Sequence, residues 1–148
     1  MRRFLLDTGI AGDFIDRRRG VYERARAEVT KGKRVGIGMP VLAELAYGIE
    51  QSKSRERNMR ALRSALPALK LWPFDEAAAF EFGRIAAELR RVGRPMQTAD
   101  MMIAAIALSL GNCTVVSGDR VLQAIALLPV ENWQTQWTYN HSGLDPNV

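Results

Sequence analysis

Residues 3–16, Arg3-Phe4-Leu5-Leu6-Asp7-Thr8-Gly9-Ile10-Ala11-Gly12-Asp13-Phe14-Ile15-Asp16, set a short apolar run against an acid and then a helical start. The pattern reads as a strand over Arg3 to Leu6 feeding a helix over Gly9 to Asp16, with Asp7 at the junction. The same alternation continues. Val21 to Val29 keeps helical spacing, and Gly32 closes it before a second strand, Arg34 to Gly38. Pro40 stands where a first helical turn accepts proline, and Val41, Leu42, Leu45, Ala46 and Ile49 predict a helix over Val41 to Gln51. Ser54 is placed to cap a helix ending near Pro67, and Leu69 to Trp72 reads as a third strand. Asp75 and Glu76 open an amphipathic helix, Ala77 to Val92, stopped by Gly93 and Pro95. Thr98 is a cap for the helix that follows, which from Met101 to Leu110 is polar only at Ser109 and so predicts a central, buried element. Cys113 to Ser117 reads as a fourth strand and Leu127 to Val130 as a fifth.

Short apolar strands alternating with helices predict an α/β fold, a three-layer α/β/α sandwich on a mostly parallel central sheet. In such sheets ligands collect beyond the carboxyl ends of the strands. A chain of 148 residues has room for one domain, and at this length about 70% of the unfolded surface can be buried without disulfide or structural metal. Gln134 to Val148 has no periodicity, and its Ser, Gly, Asp and Pro residues predict a tail that is poorly ordered or docks on a partner.

Composition narrows the chemistry. One cysteine, Cys113, excludes a disulfide framework and a cysteine zinc cluster, and one histidine, His141, excludes paired-histidine mechanisms. The net charge of +5 is unevenly spread: residues 1–74 carry 16 Lys and Arg against 8 Asp and Glu, residues 75–148 carry 5 against 8. A basic half suits a polyanion such as nucleic acid, although it also serves solubility. Arg2 to Leu6 is interrupted by Asp7 too soon for an export signal, and no run approaches the roughly 20 apolar residues of a membrane span. With a free cysteine, the expected location is the cytoplasm.

Four acids stand where structure alone does not demand them. Asp7 ends the first strand, where it also makes a good helix cap. Glu44 lies between Leu42 and Leu45 in an apolar helix, where a buried, unpaired carboxylate is costly unless it falls on an exposed stripe. Asp100 sits in the first turn of the apolar helix, favoured there by the dipole. Asp119 follows the fourth strand through Ser117-Gly118, where it also reads as an ordinary turn acid. The topology brings strand ends and helix starts to one edge, so the four can meet there. Such a group repels itself unless a cation joins it, and oxygen donors without histidine or cysteine favour Mg²⁺ or Mn²⁺. Beside a basic surface, that chemistry suits phosphodiester hydrolysis.

Phe4-Leu5-Leu6-Asp7-Thr8, Val41-Leu42-Ala43-Glu44-Leu45-Ala46-Tyr47-Gly48, Thr98-Ala99-Asp100-Met101-Met102-Ile103-Ala104-Ala105 and Val115-Val116-Ser117-Gly118-Asp119 together resemble PIN-domain proteins of the VapC toxin type. Leu71-Trp72-Pro73-Phe74-Asp75 and Val130-Glu131-Asn132-Trp133 extend the resemblance over Arg3 to Trp133. It implies a PIN-like nuclease domain at 1–133, with 134–148 as the tail. It implies a Mg²⁺- or Mn²⁺-dependent endoribonuclease, toxic until a cognate antitoxin with a DNA-binding domain occupies it, and commonly a homodimer. The family's metal positions map onto Asp7, Glu44, Asp100 and Asp119, with Thr8 and Ser117 as supporting polar groups.

Two departures stand out. Gly9 replaces the usual asparagine after Asp-Thr, removing an amide that would support Asp7. Met96-Gln97-Thr98-Ala99 lacks the more typical glycine, proline and asparagine before Asp100. Gly9 keeps open a catalytically weak module binding RNA or antitoxin, and because acids beside a basic face do not distinguish RNA from DNA, another metal-dependent phosphodiesterase is a further alternative. Trp133, Trp137 and Tyr139 are read as packing or partner residues rather than base-stacking ones, and Cys113 as an inert core thiol.

Overall fold

In the computed structural model, which describes residues 2–135, five parallel strands form one sheet in the order β3-β2-β1-β4-β5. The strands are β1 (Arg3–Leu6), β2 (Arg34–Gly38), β3 (Lys70–Trp72), β4 (Cys113–Val116) and β5 (Val130–Glu131). The centre is β1 flanked by β2 and β4, with Leu5 opposite Gly36 on one side and Val115 on the other. Phe4, Leu5 and Leu6 on β1, and Val115 and Val116 on β4, are buried, as a sheet covered on both faces requires.

The helices are α1 (Thr8–Asp16), α2 (Val21–Thr30), α3 (Met39–Glu50), α4 (Arg55–Ala65), α5 (Glu76–Arg91) and α6 (Thr98–Leu110). α1 packs on α2, α3 and α4, whereas α5 packs on α6 and α6 on β4, so the helices form layers on either side of the sheet. From β1 the chain winds outward to β3, then crosses back to β4 and β5. That reversal places the switch in winding direction beside β1, where open α/β sheets form a crevice. α6 buries Ile103 through Ala107, and Ser109 satisfies its hydroxyl on the Ile106 carbonyl at 2.9 Å, as its all-apolar sequence predicts.

Three sequence expectations shift. The fifth strand is Val130–Glu131 rather than Leu127 to Val130, because Leu127 turns the chain at φ 66° with its side chain 93% exposed. Thr98 is the first helical residue of α6 rather than its cap, a position taken by Gln97 without a side-chain bond. Ser54 does precede α4, but its hydroxyl makes no capping bond. Trp133 packs on Phe4 with ring centroids 5.0 Å apart, and its indole N–H donates to Glu131 at 3.0 Å. Cys113 is buried, and desolvation pushes its thiol up to about 12, so it is inert at neutral pH. His141, Trp137, Tyr139 and most of the proposed tail lie outside the described residues. No helix among the described residues is long and apolar enough to cross a membrane.

Candidate active site

The ends of β1 and β4 are tied together where the site begins: the Asp7 N–H donates to the Val116 carbonyl at 3.0 Å. Asp7 then caps α1, its Oδ1 accepting the Ile10 N–H at 2.9 Å. Asp119, one Ser-Gly step beyond β4, caps the short 3-10 turn Arg120–Ala124 in the same way, with the Val121 N–H at 3.0 Å. The capping and the chemical readings therefore coexist. Each acid commits one oxygen to a backbone N–H, and among the described residues neither has a side-chain cation.

Ser117 is buried between them. It accepts the Asp119 N–H on Oγ at 3.0 Å and donates to the Asp119 carbonyl at 3.3 Å, and its hydroxyl favours the charged form of the Asp7 carboxyl. Glu44 comes from α3, and the Thr8 hydroxyl at the start of α1 donates to its carboxylate. Asp100 is in the first turn of α6. The six residues expected from sequence thus gather at the carboxyl edge of the sheet, carried by β1, α1, α3, α6 and the turn after β4.

The structure corrects the reason for singling out Glu44. It is exposed, not buried, because α3 fully buries only Val41 and leaves Tyr47 65% exposed. Its position is a rim position. A groove of about 320 Å³ between α1, α3 and α4 opens beside it, lined by Thr8, Gly12, Ile15, Glu44, Leu45 and Ile49 among others.

Electrostatics ties the acids together. Burial raises the Asp7 carboxyl above its ordinary value despite the hydrogen bonds from Ser117 and Ile10, and the charges of Asp119 and Asp13 raise it further. Asp100 is raised by burial and then by Asp119, Asp7 and Glu44. Among the described residues no ion pair relieves Asp7, Glu44, Asp100 or Asp119. As the side chains stand, no three acids among these residues are close enough to form a closed metal cage. The donor set nevertheless fits a hard divalent ion: all oxygen, anionic, mutually repelling and short of a cation.

Sequence reasoning missed Asp13. It looks like an ordinary polar helix position, yet it is 1% exposed and pairs with Arg18 at 3.4 Å, Arg19 at 3.7 Å and the Gln134 amide at 2.8 Å. The signal was available only in the neighbouring arginines.

Comparison with known proteins places this geometry. The family model "PIN domain" matches residues 4–128. The tRNA(fMet)-specific endonuclease VapC of Shigella flexneri is 35% identical over 133 residues, 90% of this chain and 99% of its own length. Ribonuclease VapC2 of Rickettsia felis is 29% identical over 88% of this chain and 97% of its own length. Among solved structures, VapBC2 from Rickettsia felis bound to a DNA fragment from its promoter superposes with a TM-score of 0.83 at 29% identity, covering 89% of this chain and 99% of that one. DNA-bound VapBC from Salmonella typhimurium superposes with a TM-score of 0.82 at 32% identity, covering 90% and 99%.

Proposed function

The chain belongs to the PIN-domain family, and from that premise we propose that it is an endoribonuclease and the toxin of a toxin–antitoxin pair, with Asp7, Glu44, Asp100 and Asp119 as the acids that hold Mg²⁺ or Mn²⁺. The observation that carries this reading is the mutual repulsion of these acids at one sheet edge, with no side-chain cation paired to them among the described residues. When bound, a divalent ion supplies positive charge and Lewis acidity at the scissile phosphate.

The chain's own residues do the rest. Asp7 and Asp100 present oxygens from rigid elements, the end of β1 and the first turn of α6. Ser117, bonded to both the N–H and the carbonyl of Asp119, holds the turn that carries Asp119, and its hydroxyl favours the charged form of Asp7. Glu44, on the exposed rim, is a further metal ligand or the group that positions the attacking water, and Thr8 fixes its carboxylate. The excess of Lys and Arg in residues 1–74 supplies the attraction for RNA.

The partner is an antitoxin with a DNA-binding domain. The VapBC neighbours are toxin–antitoxin complexes, and the groove beside Thr8 and Glu44 is the surface proposed to receive the antitoxin. Homodimerisation and action in the cytoplasm complete the reading.

The deciding experiment incubates the purified protein with RNA in Mn²⁺ or Mg²⁺, with and without chelator, alongside DNA and small phosphate esters. RNA cleavage that needs the ion, and that Asp7→Asn removes from a folded protein, is expected. Full activity in Asp7→Asn would overturn the assignment of the site.

A further inference from the structure

After β5 the chain returns to α1 and to the turn that follows it. Gln134 Nε2 donates to Asp13 Oδ2 at 2.8 Å, and the Thr135 N–H donates to the Arg19 carbonyl at 2.9 Å. The Asp13 carboxylate, buried on the core side of α1, is a fixed anchor for that amide. Arg18 and Arg19 balance its charge from the turn after α1.

The other side of the Gln134 amide rests on Gly118. A Cβ at Gly118 would stand 3.1 Å from Gln134 Cδ and closer still to Oε1, so only glycine lets the amide lie against this turn. Gly118 joins Ser117 to Asp119. The contacts therefore run without a gap from Asp13 through Gln134 to the backbone that carries one of the four acids.

We propose that Gln134 is a positioning residue for Asp119: anchored on Asp13, its amide braces the Gly118 backbone and fixes where the Asp119 carboxylate stands relative to Asp7 and Asp100. This deepens the metal-site reading above and rests on it. A simple clip for the end of the domain would contribute stability alone, whereas a brace acting through Asp119 changes metal affinity.

The test is a calorimetric Mn²⁺ titration of the full chain as wild type, Gln134→Ala, Asp119→Asn and the double variant. Gln134→Ala is expected to weaken Mn²⁺ binding about tenfold, and the double variant to bind no worse than Asp119→Asn alone, because the brace acts only through Asp119. Asp13→Asn, whose amide oxygen still accepts from Gln134, is expected to stay within about threefold of wild type whatever its melting temperature. Gln134→Met, which keeps the bulk without the amide, repeats the measurement should the alanine variant not fold. Unchanged affinity in the Gln134 variants, or additive losses in the double variant, would overturn the proposal while leaving the metal site standing. A wild-type protein that takes up no Mn²⁺ would remove the metal reading and this proposal together.

Discussion

The hydroxyl of Thr8, the first residue of α1, donates to the carboxylate of Glu44 on α3, joining two helices across the mouth of the acidic site. Without this bond an exposed glutamate on a helix would sample several rotamers. With it, one carboxylate is held on the side of α1 where Asp7 stands.

Thr8→Val keeps the β-branched shape and removes the donor. A hydrogen bond to a charged group at a partly hydrated rim contributes on the order of 1 kcal/mol, so RNA cleavage is expected to fall about fivefold. Because the effect is on placement of Glu44 rather than on RNA binding, kcat should carry the loss and KM should stay put. A change confined to KM would instead mark Thr8 as a substrate contact.

The raised carboxyls of Asp7 and Asp100 make a prediction about stability and pH in the absence of metal. An acid whose folded pKa lies above its unfolded value, 3.8 for these two, contributes stability that is full below the unfolded value and is lost as pH rises through the folded one. Asp7→Asn never acquires the charge, and asparagine still caps α1. In chelator at neutral pH the variant is therefore expected to melt a few degrees above wild type, with the gap narrowing as the pH is lowered toward about 4. Mn²⁺ should reverse the order by stabilising wild type. Identical melting curves at neutral pH would show that the acids do not strain the fold.

Much of this was legible in the sequence, and the exceptions have physical causes. β1 and β2 were readable to the residue because a strand buried on both faces is a continuous apolar run with sharp ends. β5 was misplaced because Leu127 and Leu128 look like strand residues, yet the left-handed turn at Leu127 points its side chain outward while Leu128 goes into the core. Glu44 was found for an incomplete reason: helical spacing shows that α3 has an apolar face, but not that part of that face is left uncovered. Asp13 is hinted at in sequence only by Arg18 and Arg19, because its third partner, Gln134, is 121 residues away.

Glu28 tests the other buried acid. It is 3% exposed on α2, with Arg24 Nε at 2.8 Å and Lys33 Nζ at 3.1 Å. Burial pushes its carboxyl up, but the hydrogen bond from Arg24 and the ion pair with Lys33 outweigh that and lower it. Its stabilisation is therefore present above the unfolded pKa and lost as pH falls through the folded one. Breaking a fully buried pair costs roughly 3 to 5 kcal/mol, but Arg24 and Lys33 reach solvent and can rehydrate, so Glu28→Ala is expected to cost about 2 kcal/mol in urea unfolding. RNA cleavage by the folded fraction should be unaffected, since Glu28 lies away from the four acids.

Gly9 offers a gain rather than a loss. It is the position where the resemblance expects asparagine, and a Cβ built there meets only Asp7 Oδ1, at an ordinary 3.9 Å, with no positive φ to forbid a side chain. Glycine within a helix also costs about 0.5 to 1 kcal/mol relative to alanine, a penalty that asparagine partly relieves. Gly9→Asn would therefore place its Cβ at ordinary contact distance from Asp7, an acid whose carboxyl burial raises, and bring an amide near it. The expected outcome is Mn²⁺ binding tightened about threefold to tenfold, with faster RNA cleavage at limiting Mn²⁺ and little change at saturation. If the asparagine variant binds Mn²⁺ no better than wild type, the support for Asp7 comes from Ser117 and Ile10 alone, and glycine at this position is no defect.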